Sequence, residues 1–484
     1  MALINGVLGQ IAKIGIDMRV ARLLLGLCFI ASSVGATSNL SADDRPNIVF
    51  IFADDWGWGD LGCHGHPYIK TPNIDRLAQE GTDFHRFTVA SGVCSPSRTA
   101  VMTGHFPASY NIDGHFAWVP SNAKRNMPDW LSPEAPSLPR LLQQAGYATA
   151  HYGKWHLAND MIPDSPLPQA YGYDDYGAFN CAGEQMPVHD DVSRSIEFIE
   201  TAKEQGKPFF VNLWIHEPHT PFHVLPKYRW RFRSLDEPEN IYAAVLSHAD
   251  DRIGQLLSAL DRLELTDSTL VIFSSDNGPA RASRPTELEL MYDTATGAGY
   301  GLGAARGVTG GRKGYKGALF EGGIGVPFIA RWPGKISAGA IDRTSLLSAV
   351  DLLPTFCEVA GVTLPADYQP DGMSQLKALM GTPAPRRAKP LYWKMQSAWP
   401  PQANRPFHWV SWAMVDQHWK LLANRDLSHV ELYDLRTDRF EKEDVAESEA
   451  DVVKAMKREL LNWKDTLPEK PTGDVFSELR DMPQ

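Results

Sequence analysis

Residues 94–98 carry the clearest reactive group in this sequence. A thiol, Cys94, is followed by a turn-forming Ser-Pro pair and then by the fixed cation Arg98, just ahead of a predicted helix at Thr99–Thr103. Taken alone, this pentapeptide is equally compatible with a loop that packs an inert cysteine and with a reactive site. Residues elsewhere in the chain must decide between the two interpretations.

Four oxygen donors stand at the ends of two apolar runs. Asp54 and Asp55 follow the run Asn47–Ala53, and Asp276 and Asn277 follow a later one. Adjacent carboxylates repel each other unless a cation holds them, and an oxygen-only donor set suits Ca²⁺ or Mg²⁺ better than zinc. Each pair alone is also typical of helix caps and turns. Combined with the cysteine segment, the two pairs indicate a metal site.

Apolar runs alternate with helical patterns over the first part of the chain. The predicted strands are Asn47–Ala53, Tyr147–Tyr152, Pro208–Ile215 and Leu270–Ser275, and the predicted helices are Leu138–Ala145, Val192–Gln205 and Ile241–Leu263. This alternation predicts an α/β fold with a largely parallel central sheet flanked by helices. Ligands bind beyond the carboxyl ends of the strands in such sheets, and each predicted strand ends in a polar cluster.

The second and third predicted strands end in clusters that contain lysine and histidine. One cluster contains Lys154 and His156, and the other contains His216 and His219. A lysine is usually only a solvated cation, and a lone histidine is usually structural. Their position at strand ends, beside a predicted metal site, favours a role in chemistry.

A proline-rich stretch at Pro365–Pro390 divides the chain into two predicted domains. Residues 45–375 form the catalytic α/β domain, and residues 385–484 form a smaller C-terminal α+β domain with an antiparallel sheet and a helix. The further predicted elements are a long loop at Pro279–Gly311, strands at Val326–Arg331, Trp409–Val415, Trp419–Ala423 and Val430–Asp434, and helices at Ser345–Ala360 and Val452–Trp463.

Composition and charge exclude several classes of protein. With 43% hydrophobic and 22% charged residues, the chain of 484 residues has the composition of an ordinary globular protein. Its net charge of −11 argues against a nucleic-acid-binding protein. Removal of Cys28 with a signal and modification of Cys94 leave three of the five cysteines, so a complete disulfide framework is excluded.

The first 36 residues (1–36) are predicted to be a signal peptide. Two arginines precede the apolar run Leu23–Ala31, which is too short for a membrane span, and small residues follow it. A lipoprotein-type box ends at Cys28, but bulky Leu27 stands where a small residue is expected. We therefore predict an exported, periplasmic or secreted protein with no stable membrane anchor. Two questions stay open: whether translation starts at Met1 or at Met18, and whether Cys28 is lipidated.

The ordered motifs resemble the type I, formylglycine-dependent sulfatase family of the alkaline-phosphatase-like superfamily. The matching pieces are Asp54-Asp55, Thr71–Ala78, Cys94–Arg98, Gly153–His156, Pro218–Pro221, Asp276–Gly278, Lys316 and Glu321–Gly323. The similarity runs from about Asn47 to the C-terminus. Two positions depart from the family pattern, because His105 and Gly325 stand where arginine is usual. Neither change removes a catalytic group.

The resemblance implies a sulfuric ester hydrolase with a modified cysteine and one calcium ion. Cys94 would be oxidised to formylglycine by a formylglycine-generating maturation enzyme. The implied Ca²⁺ ligands are Asp54, Asp55, Asp276, Asn277 and the modified Cys94. The hydrated aldehyde would attack sulfur through one hydroxyl, with Arg98 favouring its alkoxide form and Asp276 taking up the proton.

The resemblance also assigns the remaining catalytic and substrate-binding residues. Lys154 and Lys316 would stabilise charge on the sulfuryl oxygens. His219, with Lys316 nearby, would protonate the departing alcohol, and His156 would deprotonate the second hydroxyl to expel sulfate. His216 is the second candidate for the acid. Residues that could contact substrate, or equally well lie at the surface, are His223, Arg312 and Lys313.

Three functions stay open, of which a sulfatase acting on a sulfated poly- or oligosaccharide is favoured. Export, 14 tryptophans and the aromatic segment His115–Trp118 suit sugar binding. A phosphodiesterase or phosphonate monoester hydrolase of the same superfamily would use the same groups. A non-catalytic exported carbohydrate-binding protein would not need Cys94. No motif defines the sugar, the sulfated position, endo or exo action, or the oligomeric state.

Overall fold

The computed structural model describes residues 45–282, 288–383, 386–396 and 405–481. The predicted signal peptide, Cys28 and the two candidate start residues lie outside these ranges. Within them, none of the helices combines the length and the apolar composition that crossing a membrane requires.

Strands and helices follow one another along most of the described chain. The strands are β1 Asn47–Ala53, β2 Thr82–Phe84, β3 Phe87–Thr88, β4 Ala148–Lys154, β5 Asp175–Phe179, β6 Phe209–Trp214, β7 Thr269–Ser275, β8 Leu290–Asp293, β9 Gly297–Tyr300, β10 Phe328–Arg331, β11 Ala340–Asp342, β12 Leu347–Ser348, β13 Leu391–Lys394, β14 Trp412–Asp416, β15 Trp419–Ala423 and β16 Val430–Asp434. The α-helices are α1 Pro72–Glu80, α2 Cys94–Thr103, α3 Val119–Lys124, α4 Leu138–Gln144, α5 Asp191–Glu204, α6 Pro226–Arg231, α7 Glu237–Arg262, α8 Glu321–Ile324, α9 Leu352–Val359, α10 Leu376–Leu379 and α11 Ala450–Lys464. Short 3-10 helices lie at Trp58–Asp60, Pro107–Tyr110, Pro168–Tyr171, Leu302–Ala304, Ala349–Asp351 and Glu478–Arg480.

The central sheet has eight strands in the order β11-β2-β10-β7-β1-β6-β4-β5. β10 runs antiparallel to β2 and β7, and the other neighbouring pairs are parallel. The predicted α/β fold with a largely parallel sheet is therefore confirmed. All seven residues of β1 are buried, because this strand has partners on both sides and is covered on both faces.

Alternate side chains of β1 enter two different cores. Phe50 packs edge-on against Phe356 of α9, with ring centroids 5.8 Å apart. Val49 and Ile51 belong to the second core, together with Ile253 of α7. Side chains along a strand alternate between its faces, so both faces of the sheet are apolar. Few polar side chains interrupt the two cores, among them His151 in β4 and Asn212 in β6.

The carboxyl ends of β1, β4, β6 and β7 meet at one edge of the sheet. In the register of β1 with β7, Ala53 lies opposite Ser275, so Asp54 and Asp276 leave the sheet side by side. β4 and β6 are parallel neighbours on the other side of β1. The polar clusters that follow all four strands therefore share this edge, as predicted.

One predicted helix starts later than expected. The pattern at Ser345–Ala360 predicted a helix, but α9 begins at Leu352. The residues before it form β12, which pairs with β3, and a 3-10 helix. In that turn the Asp351 carboxylate accepts a hydrogen bond of 2.8 Å from the backbone N–H of Ser348. This side-chain cap ends the strand and starts the helix.

Three other boundaries also differ from the prediction. α2 begins at Cys94 and not at Thr99, so the thiol lies in its first turn. The predicted loop Pro279–Gly311 contains the antiparallel hairpin β8-β9. The first predicted strand of the C-terminal region starts at Trp412 and not at Trp409, because turns precede it.

The C-terminal sheet is antiparallel, in the order β13-β14-β15-β16, as predicted. The amphipathic helix α11 covers it, and Trp463 of this helix stacks on Tyr392 of β13 with ring centroids 4.6 Å apart. The domain limits, 45–375 and 385–484, stay a prediction.

Candidate active site

Cys94 lies in the first turn of α2, a helix of ten residues that are all buried. Its Sγ is 3.5 Å from Asp54 Oδ1 and 3.7 Å from Lys154 Nζ. Burial raises the pKa of this thiol in spite of the nearby charges of Lys154 and Lys316. The unmodified cysteine is therefore a poor nucleophile, because the thiolate is the reactive form. The helix N-terminus nonetheless favours negative charge at this point.

The four predicted oxygen donors meet beside the thiol. Asp55 Oδ1 accepts a hydrogen bond of 2.7 Å from Asn277 Nδ2, and Asp276 Oδ1 accepts one of 3.2 Å from the backbone N–H of Asp55. The φ of Asp55 is 68°, in the left-handed region where strained functional residues occur. Asn277 Oδ1 is buried and accepts no hydrogen bond from the described residues. A free buried oxygen among carboxylates fits a hard divalent cation.

Two buried cations, Arg98 and Lys154, and the partly buried Lys316 surround these carboxylates. The pairs are Arg98–Asp276, Lys154–Asp54 and Lys316–Asp55. Arg98 donates hydrogen bonds of 3.1 and 2.7 Å to Asp276 Oδ2 and one of 2.9 Å to the carbonyl oxygen of Lys154. This arginine therefore fixes both a predicted metal ligand and the backbone that carries the predicted sulfate-binding lysine.

The carboxylates of the cluster differ strongly in proton affinity. Burial raises the pKa of Asp54, but the charges of Lys154 and Arg98 oppose it, and this pKa lies well below its usual value. Burial and the Asp54 charge raise the pKa of Asp276 to about 7, although Arg98 opposes the shift. Without a cation, this part of the site therefore holds a proton near neutral pH.

We expect Ca²⁺ to bind this cluster more weakly below pH 7 than above it. Asp276 is protonated below its pKa of about 7, so an entering cation must displace a proton there. The apparent affinity should fall by up to about tenfold per pH unit on the acid side and level off on the alkaline side. Calorimetric titration of metal-free protein over this range measures the slope. A flat profile would contradict Asp276 as a ligand.

Two predicted catalytic histidines each bond a backbone carbonyl through one ring nitrogen. His156 Nε2 lies 3.0 Å from the carbonyl oxygen of Phe116, and His219 Nδ1 lies 2.6 Å from that of Thr220. A carbonyl oxygen only accepts, so these nitrogens carry the proton. The second nitrogen of each neutral ring has a lone pair. For His156 that nitrogen, Nδ1, is buried and bonds no described residue; for His219, Nε2 lies 3.9 Å from Asp55 Oδ2.

Both histidine rings are neutral at pH 7 in the free protein. Burial and the Lys154 charge lower the pKa of His156. Burial also lowers the pKa of His219, and the charge of Asp54 only partly offsets this. Neutral His156 can accept a proton directly. His219 must first gain one, and an anionic group bound beside it favours that gain.

The remaining candidates contact groups other than the thiol. His216 Nε2 donates a hydrogen bond of 3.1 Å to a backbone carbonyl, and its ring centroid is 5.7 Å from that of His219. Arg312 lies 4.0 Å over a tryptophan ring. Lys313 Nζ donates a hydrogen bond of 2.7 Å to a tyrosine hydroxyl of the C-terminal sheet. His223 Nδ1 contacts the hairpin β8-β9, at 3.1 Å from a carbonyl oxygen.

Backbone groups complete the site, and the sequence held no signal for them. The carbonyls of Phe116 and Thr220 orient the two histidines, but any residue type supplies a carbonyl. The unusual His105 is explained locally, since its Nδ1 lies 3.2 Å from Asp371 Oδ2, which also accepts a hydrogen bond of 2.8 Å from the backbone N–H of Phe106. These contacts hold the segment after α2 without the usual arginine.

The sequence matches two family models and a set of known relatives. Residues 46–362 match the family model described as sulfatase, and residues 313–466 match the one described as N-sulphoglucosamine sulphohydrolase, C-terminal. The chain is 31% identical over 400 residues to N-acetylgalactosamine-6-sulfatase of Canis lupus familiaris, which covers 74% of this chain and 70% of that protein.

Solved structures share the whole architecture. The crystal structure of Ps i-CgsB in complex with k-i-k-neocarrahexaose has a TM-score of 0.72 and 27% identity, and covers 90% of this chain and 96% of that one. Phosphonate monoester hydrolase of Agrobacterium radiobacter has a TM-score of 0.60 and 21% identity, covering 87% and 96% of the two chains. The second likeness is one of fold alone.

The fold and the clustered site define a hydrolase of the alkaline-phosphatase-like type. Within this class, the chain belongs to the sulfatase family and is a sulfuric ester hydrolase. The family implies a metal ion and a formylglycine. One group of side chains placed to hold an ion here is Asp54, Asp55, Cys94 and His219.

Proposed function

We propose that this protein hydrolyses sulfate esters of an oligo- or polysaccharide with a formylglycine formed from Cys94 and held beside one Ca²⁺. The observation that carries the proposal is the position of Cys94 Sγ, 3.5 Å from Asp54 Oδ1 and 3.7 Å from Lys154 Nζ. A cysteine that served only for packing would not need ionic neighbours. The proposal includes a formylglycine-generating enzyme as a transient partner and export to the periplasm or the medium.

The residues present fit the two groups that the proposal requires. Asp54, Asp55, Asp276 and Asn277 would hold the ion through carboxylate and amide oxygens, the ligands that Ca²⁺ prefers. The formylglycine would supply an oxygen nucleophile from its hydrated aldehyde, and the bound ion would supply positive charge next to the sulfuryl oxygens.

The cationic side chains bind and orient the sulfate group. Lys154 and Lys316 are both protonated at neutral pH, because neighbouring carboxylates raise the pKa of each and outweigh burial. Their ammonium groups flank the thiol position and can neutralise charge on the sulfuryl oxygens as it builds up. Arg98 holds Asp276 by two hydrogen bonds, so this carboxylate keeps its orientation while it accepts the proton of the nucleophile.

The two histidines divide the proton transfers. In the protonated ring of His219, Nδ1 stays on the Thr220 carbonyl, so the proton that can be donated is on Nε2. His156 is held by the Phe116 carbonyl with its basic Nδ1 unpaired among the described residues. His219 therefore protonates the leaving alcohol, and His156 removes a proton in the step that releases sulfate.

We expect His219→Ala to slow the release of sugar alcohols more than the release of phenols. An activated phenol needs little protonation, whereas an alcohol needs a general acid worth roughly 10²–10⁴-fold. Rates for sulfate esters over a wide range of leaving-group pKa measure the difference, and His216→Ala is the matched control. Equal losses for every ester would reject His219 as the acid.

The related phosphoryl-transfer function is tested by the choice of ester. Phosphonate monoester hydrolase shares the fold, and phosphoryl transfer uses similar cations. We expect the matured protein to turn over aryl sulfates faster than matched aryl phosphates or phenyl phosphonates. A reversed order would replace the sulfatase proposal with a phosphoryl-transfer enzyme, and no turnover of any ester would support a binding protein.

A groove beside the site supports a carbohydrate substrate. It has a volume of about 1040 Å³ and is lined by charged side chains and by Trp409 and Trp412. Two of its lining residues contact the catalytic region: His408 bonds the Lys316 carbonyl at 3.3 Å, and Arg125 donates to the His115 carbonyl at 2.8 Å. Aromatic rings and cations together suit a chain of sulfated sugars. Its cationic lining residues are Lys124, Arg125, Lys394 and Arg425, and its acidic ones are Asp113, Asp426 and Glu469. Lys394 pairs with Asp113 at 2.7 Å.

We expect the double variant Lys124→Ala/Arg425→Ala to lower kcat/KM for a sulfated oligosaccharide by about tenfold. Both residues are exposed and line the groove, and loss of two charges there weakens attraction of an anionic chain. Turnover of a small aryl sulfate should not change. The matched control is Lys454→Ala/Arg458→Ala on the exposed side of α11. An equal loss with both substrates would mean that the groove does not bind sugar.

A further inference from the structure

A second group of potential ligands lies beside the turn that carries His219. Its members come from three segments of the chain: His189 precedes α5, Glu217 and His223 lie in the connection between β6 and α6, and His248 belongs to α7. One nitrogen or oxygen atom from each of His189, Glu217 and His248 lies within 4.8 Å of the others. The rings of His189 and His223 are 5.9 Å apart.

Three of the four members present a buried polar atom that lacks a partner. Glu217 Oε2, His223 Nε2 and His248 Nδ1 make no hydrogen bond with the described residues, whereas His189 Nε2 lies 3.2 Å from Glu217 Oε1. Glu217 and His248 are only 1% and 7% exposed, so water does not readily replace a partner for them. Buried polar atoms without a partner are uncommon and costly. Three of them that converge beside the His189 ring point to a shared ligand.

Neighbouring groups orient these atoms as they do in metal sites. His223 Nδ1 donates to the Ala298 carbonyl at 3.1 Å, which leaves the lone pair on Nε2. Arg252 Nη1 donates to Glu217 Oε1 at 2.7 Å, which leaves Oε2 free, and Arg252 also pairs with Asp191. Metal-binding imidazoles and carboxylates usually carry such outer bonds. Burial lowers the pKa of His223 and of His248 to about 4, so both rings are neutral ligands at pH 7.

We propose that His189, Glu217, His223 and His248 bind a zinc-type divalent cation, separate from the oxygen-ligated site. Three imidazoles and a carboxylate suit Zn²⁺ and disfavour Ca²⁺. Tetrahedral Zn²⁺ ligands lie about 3.4 Å apart, given bonds of about 2.0–2.1 Å, so modest side-chain rotation closes the site. Because Glu217 is two residues before His219, the ion clamps the turn that carries the predicted acid. This site does not depend on the sulfatase proposal.

Metal analysis of the full-length protein tests the site. Protein stripped with a chelator and then dialysed against Zn²⁺ with Ca²⁺ in excess should retain one zinc per chain. His248→Gln and His189→Gln should each lower zinc affinity by more than about 100-fold, above the 10–100-fold typical of outer-shell partners. Their calcium content should not change. His418→Gln on the C-terminal sheet is the control, and Asp276→Asn should show the opposite pattern, losing calcium and keeping zinc.

Co²⁺ gives a readout that is independent of these variants' stability. Wild-type protein loaded with Co²⁺ should show the visible absorption of a tetrahedral site, and Zn²⁺ should displace it. His223→Gln, at the outer edge of the site, should weaken this spectrum while the melting temperature of the metal-free protein stays unchanged. Zinc at background level in the wild type, or zinc unaffected in all three histidine variants, would show that a protonated His189 simply pairs with Glu217 and would overturn the proposal.

Discussion

Cys94→Ala is expected to abolish sulfate ester hydrolysis, although the fold should survive. Alanine fits the buried first turn of α2 and removes only a small side chain, so the stability loss should be about 1–2 kcal/mol. The chemical loss is far larger, because no other group near Asp54 can replace the nucleophile. We expect a fall of at least about 10⁴-fold in kcat/KM, measured with an aryl sulfate and compared with the melting temperature.

Mass spectrometry of the wild-type protein distinguishes a formylglycine nucleophile at position 94 from an unmodified catalytic thiol. In active protein, the peptide that contains Cys94 should have lost its sulfur and should react with a carbonyl reagent. Activity should rise with the modified fraction when a maturation enzyme is coexpressed. Cys63→Ser, which changes an exposed cysteine, should keep full activity. Full activity in protein whose Cys94 is entirely unmodified would refute the formylglycine mechanism.

The sequence was most informative where local pattern and sheet geometry act together. A parallel strand that is buried on both faces has to be apolar along its length, so the first polar residues after it mark the functional edge. This reasoning brought Asp54 and Asp276 together although they are far apart in sequence, and the register of β1 with β7 agrees with it. Lys154, at the end of β4, followed from the same rule.

Other features of the site depend on contacts that no local pattern encodes. The position of Lys316 next to Asp55 is set by a long irregular segment that packs around the sheet edge. The tautomers of His156 and His219 follow from carbonyl groups of residues whose side chains play no part. The hairpin β8-β9 and the late start of α9 were missed because tertiary pairing and a side-chain cap override weak intrinsic preferences.

The same distinction applies to the group of His189, Glu217, His223 and His248. Spacing along the chain gave no zinc motif, because the four residues come from three segments and are assembled only by the fold. The sequence could rank His219 above His216 from the Pro-His-x-Pro pattern. It could not show that the Glu217 carboxylate is buried, or that its Oε2 has no partner among the described residues. Sites built from distant single residues are therefore visible in structures before they are visible in sequences.

Asp54→Asn is expected to remove both calcium binding and activity. The amide keeps the size of the side chain but removes a buried negative charge. Cys94 and Lys154 contact this carboxylate, and a bound ion would contact it too. Loss of metal assistance should cost roughly 4 kcal/mol or more of transition-state stabilisation, which is about 10³-fold in rate. Calorimetry with Ca²⁺ and steady-state rates with an aryl sulfate measure the two effects on the same preparation.

Two controls make the prediction for Asp54→Asn specific: chelation of the wild-type protein and a variant of a second buried aspartate. Wild-type protein treated with a calcium chelator should lose activity and recover it with Ca²⁺, whereas Asp54→Asn should not recover. Asp250→Asn is the matched control, because Asp250 is also buried but, among the described residues, accepts its hydrogen bonds from Asn73 and Ile74 at the start of α1. It should lower the melting temperature and leave calcium affinity unchanged. If Asp54→Asn keeps wild-type calcium affinity, the ion is held elsewhere and the four oxygen donors do not form its site.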